Sequence, residues 1–166
     1  LSAEFAVGDM RTFAPKFRYD MVTCIGNSLN YMPSLKDLER TLRVAHSALA
    51  PGRLFLFDLR TVAGLAAMAG DRVVADVPTA HFIVSNNRFN FETMTLNVRY
   101  SIFQNNQMGA WNRSEELHAL RGYPVQAVQR LLEQIGFRLI RVMDANFSPT
   151  EPQSNAELLI FLATTA

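Results

Sequence analysis

An apolar run, Met21-Val22-Thr23-Cys24-Ile25, breaks abruptly into Gly26-Asn27-Ser28-Leu29-Asn30-Tyr31-Met32, and this break constrains the chain more than any other stretch. A continuous apolar run of strand length reads as a strand covered on both faces, the pattern of a parallel sheet. When such a strand ends in Gly and small polar side chains, its carboxyl end opens a crevice, because open α/β sheets bind ligands outside those ends. Phe5-Ala6-Val7 ends in Gly8-Asp9-Met10, and Leu54-Phe55-Leu56-Phe57 ends in Asp58-Leu59. Three strand tips with acidic or amide side chains predict one shared pocket.

The spacing around those tips predicts alternating strands and helices. Glu4 to Val7 reads as a short strand and Tyr19 to Ile25 as a longer one. Ser34 then offers a helix N-cap, with Asp37 three residues on as the acidic variant of a capping box. Leu35, Leu38, Leu42, Ala45 and Leu49 follow at helical spacing, and Pro51-Gly52 is expected to end the helix before the strand at Leu54. Strand, helix, strand with short connections is a βαβ unit, hence parallel pairing with a right-handed crossover. Thr61 to Ala69 reads as a short helix of small residues closed by Gly70.

From Arg72 to Tyr123 the period changes to alternation (Val73, Ala75, Val77; Met94, Leu96, Val98; Tyr100, Ile102), interrupted by Asn86-Asn87 and by Asn105 through Gly109. That is the pattern of antiparallel hairpins, a β insertion. Pro124 suits the first turn of another helix, with Val125, Val128, Leu131, Leu132 and Ile135 on one side and Gly136 as its stop. Phe137 to Met143 and Glu157 to Ala163 are the last strands, linked by a polar loop from Phe147 to Asn155. The expected division is a core of residues 1–70 and 124–166 with an insertion, or lid, over 71–123.

At 166 residues, 49% of them hydrophobic, the chain fits one domain with a real core. The net charge of +1 and the scattered Lys and Arg residues argue against nucleic acid or an anionic membrane as a partner. The one cysteine, Cys24, lies in an apolar strand and cannot form an intramolecular disulfide, which suits a reducing, cytoplasmic setting. No apolar stretch has transmembrane length, and the first residues carry no basic-then-apolar leader.

These strand tips, with the segment Glu116-Leu117-His118-Ala119-Leu120-Arg121-Gly122-Tyr123-Pro124, resemble the class I S-adenosylmethionine-dependent methyltransferases, and within them the small-molecule enzymes with a "GNS" turn and an "E-x-H-x-x-R-x-Y" ending to the β insertion. The resemblance runs from Phe5 to Phe161 and implies an α/β, partial Rossmann-like methyltransferase fold (strands 3 to 7) with an antiparallel β insertion. It implies S-adenosylmethionine as cofactor, with Asp9 accepting from the adenine amino group, Met10 beside it, and Ile25, Gly26, Ser28 and Tyr31 lining the cofactor. It implies Asn27, Arg121 and Tyr123 as substrate-binding residues and His118, with Tyr31, as the catalytic pair. The implied reaction is methyl transfer to a nitrogen or oxygen of a small molecule, without a metal.

The sequence contains no glycine-rich turn between a strand and a helix, the element that in this family cradles the methionine end of the cofactor. The family's strand order, 3-2-1-4-5-7-6, puts the two earliest strands between the run ending at Val7 and the run ending at Ile25. We therefore expect either a homo-oligomer through an exposed sheet edge or a fragment of a longer enzyme. Plainer readings stand beside each site residue. Gly8-Asp9 is also an ordinary turn, Asn27 an Asx turn before a helix, and Glu116, His118 and Arg121 a polar strand that docks the insertion. His46 and His81 read as structural or solvated, Cys24 as a small hydrophobe, and Asp58 as a lesser crevice candidate. A non-catalytic remnant, serving assembly or small-molecule binding, and a nicotinamide oxidoreductase are the rival functions.

Overall fold

The computed structural model describes residues 3–76, 81–106, 109–151 and 156–165. Two sheets make up the fold. The first has four strands in the order β1 (Tyr19–Cys24), β2 (Leu49–Arg60), β8 (Leu158–Thr165) and β7 (Phe137–Met143). β1 and β2 are parallel, while β8 runs antiparallel to both β2 and β7. The parallel pair is bridged by helix α1 (Leu35–Ala48), so strand, helix and strand form the expected βαβ unit.

Local chemistry sets the ends of these elements. The Ser34 side chain accepts from the Asp37 N–H and caps α1. Helix α3 (Val125–Ile135) stops at Gly136, whose φ of 105° is the left-handed conformation that a side chain resists. Both helices lay their apolar stripes on one face of the sheet. There Phe55, Phe57, Phe137 and Phe161 form a run of stacked rings with centroids 4.8 to 5.4 Å apart, packed against Leu38, Leu42, Val128 and Leu132. His46 joins this core edge-on to Phe137 at 4.9 Å, a structural use of that histidine.

The second sheet is the insertion, an antiparallel meander of β3 (Gly70–Asp76), β4 (His81–Asn90), β5 (Thr95–Asn105) and β6 (Trp111–Arg121). Short helix α2 (Val62–Ala67) carries the chain from β2 into it, and Leu65, Leu96, Val98 and Leu120 form a small core between them. Trp111 is exposed at the sheet's far end and takes no part in that core.

Four expectations are corrected. Glu4 to Val7 form no strand: Phe5 and Val7 lie almost wholly in solvent, since the segment has no ladder to join. β1 is covered on one face only. Val22 and Cys24 pack on the core while Met21 and Ile25 are exposed, and among the described residues β2 is the one strand paired with it. Asn86-Asn87 is not a turn but the middle of β4, where Asn86 Nδ2 donates to Asp71 Oδ1 at 2.8 Å and Asn87 Nδ2 to the Met68 carbonyl at 3.0 Å. These partners hold both amides in an extended backbone. The reversal falls instead at 91–94, where the Asn90 side chain accepts from the N–H groups of Glu92 and Thr93. The helix also ends sooner than its Pro51-Gly52 signal, because β2 begins at Leu49. Pro152 to Asn155 of the last loop lie outside the described residues.

Gly64 shows how tightly α2 is seated. A Cβ built on it would come within 2.0 Å of the Glu157 carbonyl oxygen, a backbone atom with no freedom to yield. Gly64→Ala is expected to cost about 1–3 kcal/mol of stability by overpacking, read as a lower urea midpoint. An unchanged midpoint would show that α2 is not locked against the last strand.

Candidate active site

The site grows from the end of β1. Gly26 (φ 80°) and Asn27 (φ 61°) both take left-handed backbone, which Gly and Asn tolerate better than other residues. This turns two successive N–H groups toward the carboxyl half of β2. The Asp58 carboxylate accepts both, Gly26 N–H at 2.8 Å on Oδ2 and Asn27 N–H at 2.8 Å on Oδ1. Ser28 Oγ donates to the Ile25 carbonyl at 2.8 Å, and one turn of 3-10 helix spans Ser28–Tyr31. The strand tip is thus fixed by polar bonds rather than by burial.

Asn30, fully buried, ties this turn to the insertion. Its Oδ1 accepts from the Arg60 N–H, and its Nδ2 donates to the carbonyls of Arg60 and Arg121, all at 2.9 Å. The next residue, Tyr31, is thereby brought against β6. Tyr31 Oη stands 2.8 Å from His118 Nδ1, and His118 Nε2 stands 3.1 Å from Glu116 Oε2. A carboxylate can only accept, so Nε2 carries the hydrogen, and in the neutral ring Nδ1 then accepts from the Tyr31 hydroxyl. Tyr100, opposite Glu116 on β5, packs edge-on to His118 with centroids 5.2 Å apart. Burial, with Tyr100 and Glu116 nearby, pushes the Tyr31 phenol above its ordinary pKa and keeps it protonated as a donor.

Where the segment 6–13 meets β1 and α1, Gly8, Met10, Cys24, Leu29 and Ala45 help to line an apolar cleft of about 330 Å³. The segment that carries Asp9 thus borders a cleft with β1, but Asp9, Gly26, Asn27, Ser28 and Asp58, the tip residues expected to share one pocket, are not among those that line it. Asp9 is exposed and grips Arg11, whose Nη2 lies 2.6 Å away; this hydrogen-bonded guanidinium lowers the carboxyl to about 2. Arg11 also reaches Asp37 at 3.7 Å, which fastens the segment to the start of α1. Cys24 is pushed up to about 11 by burial, with the Asp58 charge acting in the same direction, so its thiol is not a nucleophile at neutral pH.

The expected substrate residues separate. Asn27 lies in the turn, half-buried, and Arg121 donates to the Pro33 carbonyl at 3.0 Å beside it. Tyr123 is a correction: it is only 3% exposed and donates its hydroxyl to the Met32 carbonyl. Its ring sits in the main core, where no substrate reaches it, and burial pushes its phenol up to about 12. Tyr100 and Asn30 carry weight that the motifs did not assign. Tyr100 was within reach of the sequence, since a hairpin closing at Asn105 to Gly109 sets it opposite Glu116; Asn30 bonds to residues 30 and 91 positions away and left no local signal. Among the described residues no group of three or more His, Cys, Asp or Glu could hold a metal ion, and no helix is long and apolar enough to cross a membrane.

No protein-family model matches the chain. It is 29% identical over 146 residues to the "Putative methyltransferase YqeM" of Bacillus subtilis (strain 168), covering 88% of this chain and 58% of that protein. It superposes with a TM-score of 0.85 on a S-adenosylmethionine-dependent methyltransferase from Clostridium acetobutylicum ATCC 824, at 20% identity, covering 97% of this chain and 64% of that one. The S-adenosylmethionine-bound CalS10, an amino pentose methyltransferase from Micromonospora echinaspora, matches with a TM-score of 0.66 at 17% identity, over 96% of this chain and 63% of that one. The fold is therefore that of the class I S-adenosylmethionine-dependent methyltransferases. The chain spans 58%, 64% and 63% of the lengths of these three proteins, and it carries a four-stranded sheet with an antiparallel insertion.

Asp58→Ala removes the acceptor of two backbone donors held by one charged group. It is expected to lower stability by about 1.5–3 kcal/mol and to broaden the amide signals of Gly26 and Asn27; a turn that keeps both signals sharp would assign its shape to the backbone alone. At pH 8 iodoacetamide is expected to alkylate Cys24 on the order of a hundredfold more slowly than an unperturbed thiol, with the rate rising steeply toward pH 11. A rate equal to that of free cysteine would contradict the buried, neutral thiol.

Proposed function

We propose that this chain supplies the acceptor-facing part of an enzyme that transfers a methyl group from S-adenosylmethionine to a nitrogen or oxygen of a small molecule. One observation carries the reading: the hydrogen-bonded series Tyr31, His118, Glu116 stands where the strand-tip turn meets the insertion. Methyl transfer asks a protein to position a nucleophile, exclude water and take up a proton where the nucleophile carries one. In this reading Tyr31 and His118 are the catalytic pair. Asn27 and Arg121 contact the acceptor, and Tyr123 acts only by bracing Met32.

The residues present fit the adenosyl side of the cofactor. Met10, Cys24 and Leu29 provide an apolar wall, and Asp9 stands beside it with lone pairs to spare, since a carboxylate offers about four acceptor sites. In this reading Asp9, Met10, Ile25, Gly26, Ser28 and Tyr31 hold the cofactor. A Cβ on Gly26 would meet nothing within 4 Å, so the tip leaves open space at its surface. When bound, S-adenosylmethionine supplies a methyl group on a positively charged sulfur, which needs no acid or metal from the protein to become electrophilic.

The proposal includes a second copy of the chain pairing along the free edge of β1, because an edge strand with exposed Met21 and Ile25 is a template for another strand. It also includes a reducing, cytoplasmic setting, which the free Cys24 suits. The rival is a non-catalytic module that assembles or binds small molecules with the same hollow.

Titration of the chain with S-adenosylhomocysteine, followed by amide NMR, separates the two. Shifts confined to Met10, Gly26 and Ser28, weakened at least fivefold in Asp9→Ala, are expected. Millimolar nucleotide that moves none of these signals would favour the non-catalytic module.

A further inference from the structure

The insertion has a second face that the methyl-transfer reading leaves unused. Successive residues of a strand point to opposite sides of a sheet, so the face that turns Val98, His118 and Leu120 toward α2 and Tyr31 leaves Asn97, Arg99, Leu117 and Ala119 on the reverse. There β4 sets Asn86 opposite Arg99 and Arg88 opposite Asn97, while β6 sets Leu117 opposite Arg99 and Ala119 opposite Asn97. These six residues border a cavity of about 440 Å³. Val98 and His118, whose side chains point away, border it as well and so give it a backbone floor. The small side chain of Ala119 among longer neighbours leaves the space.

The charges on this face do not balance. Asp71, opposite Asn86 on β3, accepts from Asn86 Nδ2 at 2.8 Å and from Arg88 Nη1 at 2.9 Å, so Arg88 has its countercharge. Glu115, farther along β6 on the same face, is held by Arg113 and by the Ser101 hydroxyl. Arg99 is exposed on the strand between these two groups, and among the described residues no carboxylate meets it. The Asn97 amide is likewise without a partner among them. Leu117, directly across from Arg99, is 75% exposed, an apolar side chain beside an unopposed cation.

We propose that this cavity is a binding site for a small monocarboxylate with an apolar body. The planar guanidinium of Arg99 matches a carboxylate through two parallel N–H donors, and Asn97 Nδ2 adds a third donor from the same face. The apolar body lies over Leu117 and Ala119. One unopposed positive charge calls for one negative charge, since Arg88 and Asp71 already cancel each other; a dianion would leave a charge over, and a cation would be repelled. The volume suits such a ligand, because small-molecule sites occupy roughly 300–1,000 Å³. The site lies on the opposite face of β6 from the Tyr31 and His118 pair, and it does not rest on the methyl-transfer reading.

The test uses benzoate and benzamide, which share a ring and nearly a shape but differ by one charge, titrated into the full chain while the Arg99 Nε–H and Asn97 side-chain amide signals are followed. Benzoate is expected to shift both and to bind about tenfold more tightly than benzamide. Arg99→Gln, a change at an exposed side chain that keeps the fold, is expected to bring the two probes to equal affinity. Ala119→Trp is expected to exclude both, because the indole fills the cavity. Arg113→Gln, which alters an arginine of the same face that already has its carboxylate, is expected to leave benzoate binding unchanged. Equal affinity for both probes in the unaltered chain, shifts centred elsewhere, or a charge preference that survives Arg99→Gln would overturn the site. Such a result would leave the S-adenosylhomocysteine shifts at Met10, Gly26 and Ser28 in place.

Discussion

The site depends on one side-chain amide. Asn30 is fully buried and makes three hydrogen bonds, all to backbone at the ends of two different strands, Arg60 on β2 and Arg121 on β6. Every stranded backbone group in such a place costs about 1–3 kcal/mol, so the main sheet, the 3-10 turn and the insertion are held together at a single point. Tyr31 follows Asn30 in sequence. Its contact with His118, 87 residues further on, is a consequence of where Asn30 is anchored.

Around that anchor the polar bonds follow a common logic. Asp58 holds the two left-handed residues of the strand tip, and Tyr123 and Arg121 donate to the successive carbonyls of Met32 and Pro33. Each reaches from β2, or from the end of β6, to the segment that follows β1. The apolar core lies to one side, in the ring stack of Phe55, Phe57, Phe137 and Phe161, and keeps the sheet rigid beneath them. Among the described residues, no strand lies beside the other edge of β1. There Asp9 and Arg11 close on each other and on Asp37 rather than on a neighbouring ladder.

Much of this could be read from the chain. The βαβ unit followed from an apolar run, a capped amphipathic helix and a second run, and the insertion followed from a change of period. The shared pocket expected of the Gly and Asp residues at strand ends is not what lines the cleft: Gly8 and Met10 do, while Asp58 is engaged with the N–H groups of Gly26 and Asn27. What the sequence concealed shares one physical feature: it was decided by partners far away in the chain. Glu4 to Val7 has strand composition but no neighbour to pair with. Asn86-Asn87 has turn composition, but Asp71 and Met68 keep it extended. Tyr123 has the chemistry of a substrate contact, yet the Met32 carbonyl draws it into the core. Asn30 lay within the most informative stretch and was still missed, because an asparagine beside a turn has an ordinary local explanation.

The most direct measurement is the long-range 1H–15N spectrum of the His118 ring in the intact chain and in Asn30→Ala. The account predicts a neutral ring protonated at Nε2, with an Nδ1 signal displaced by the Tyr31 hydroxyl, and loss of that displacement when Asn30 is removed while the chain stays folded. A ring protonated at Nδ1, or an Nδ1 signal unmoved by Asn30→Ala, would contradict it.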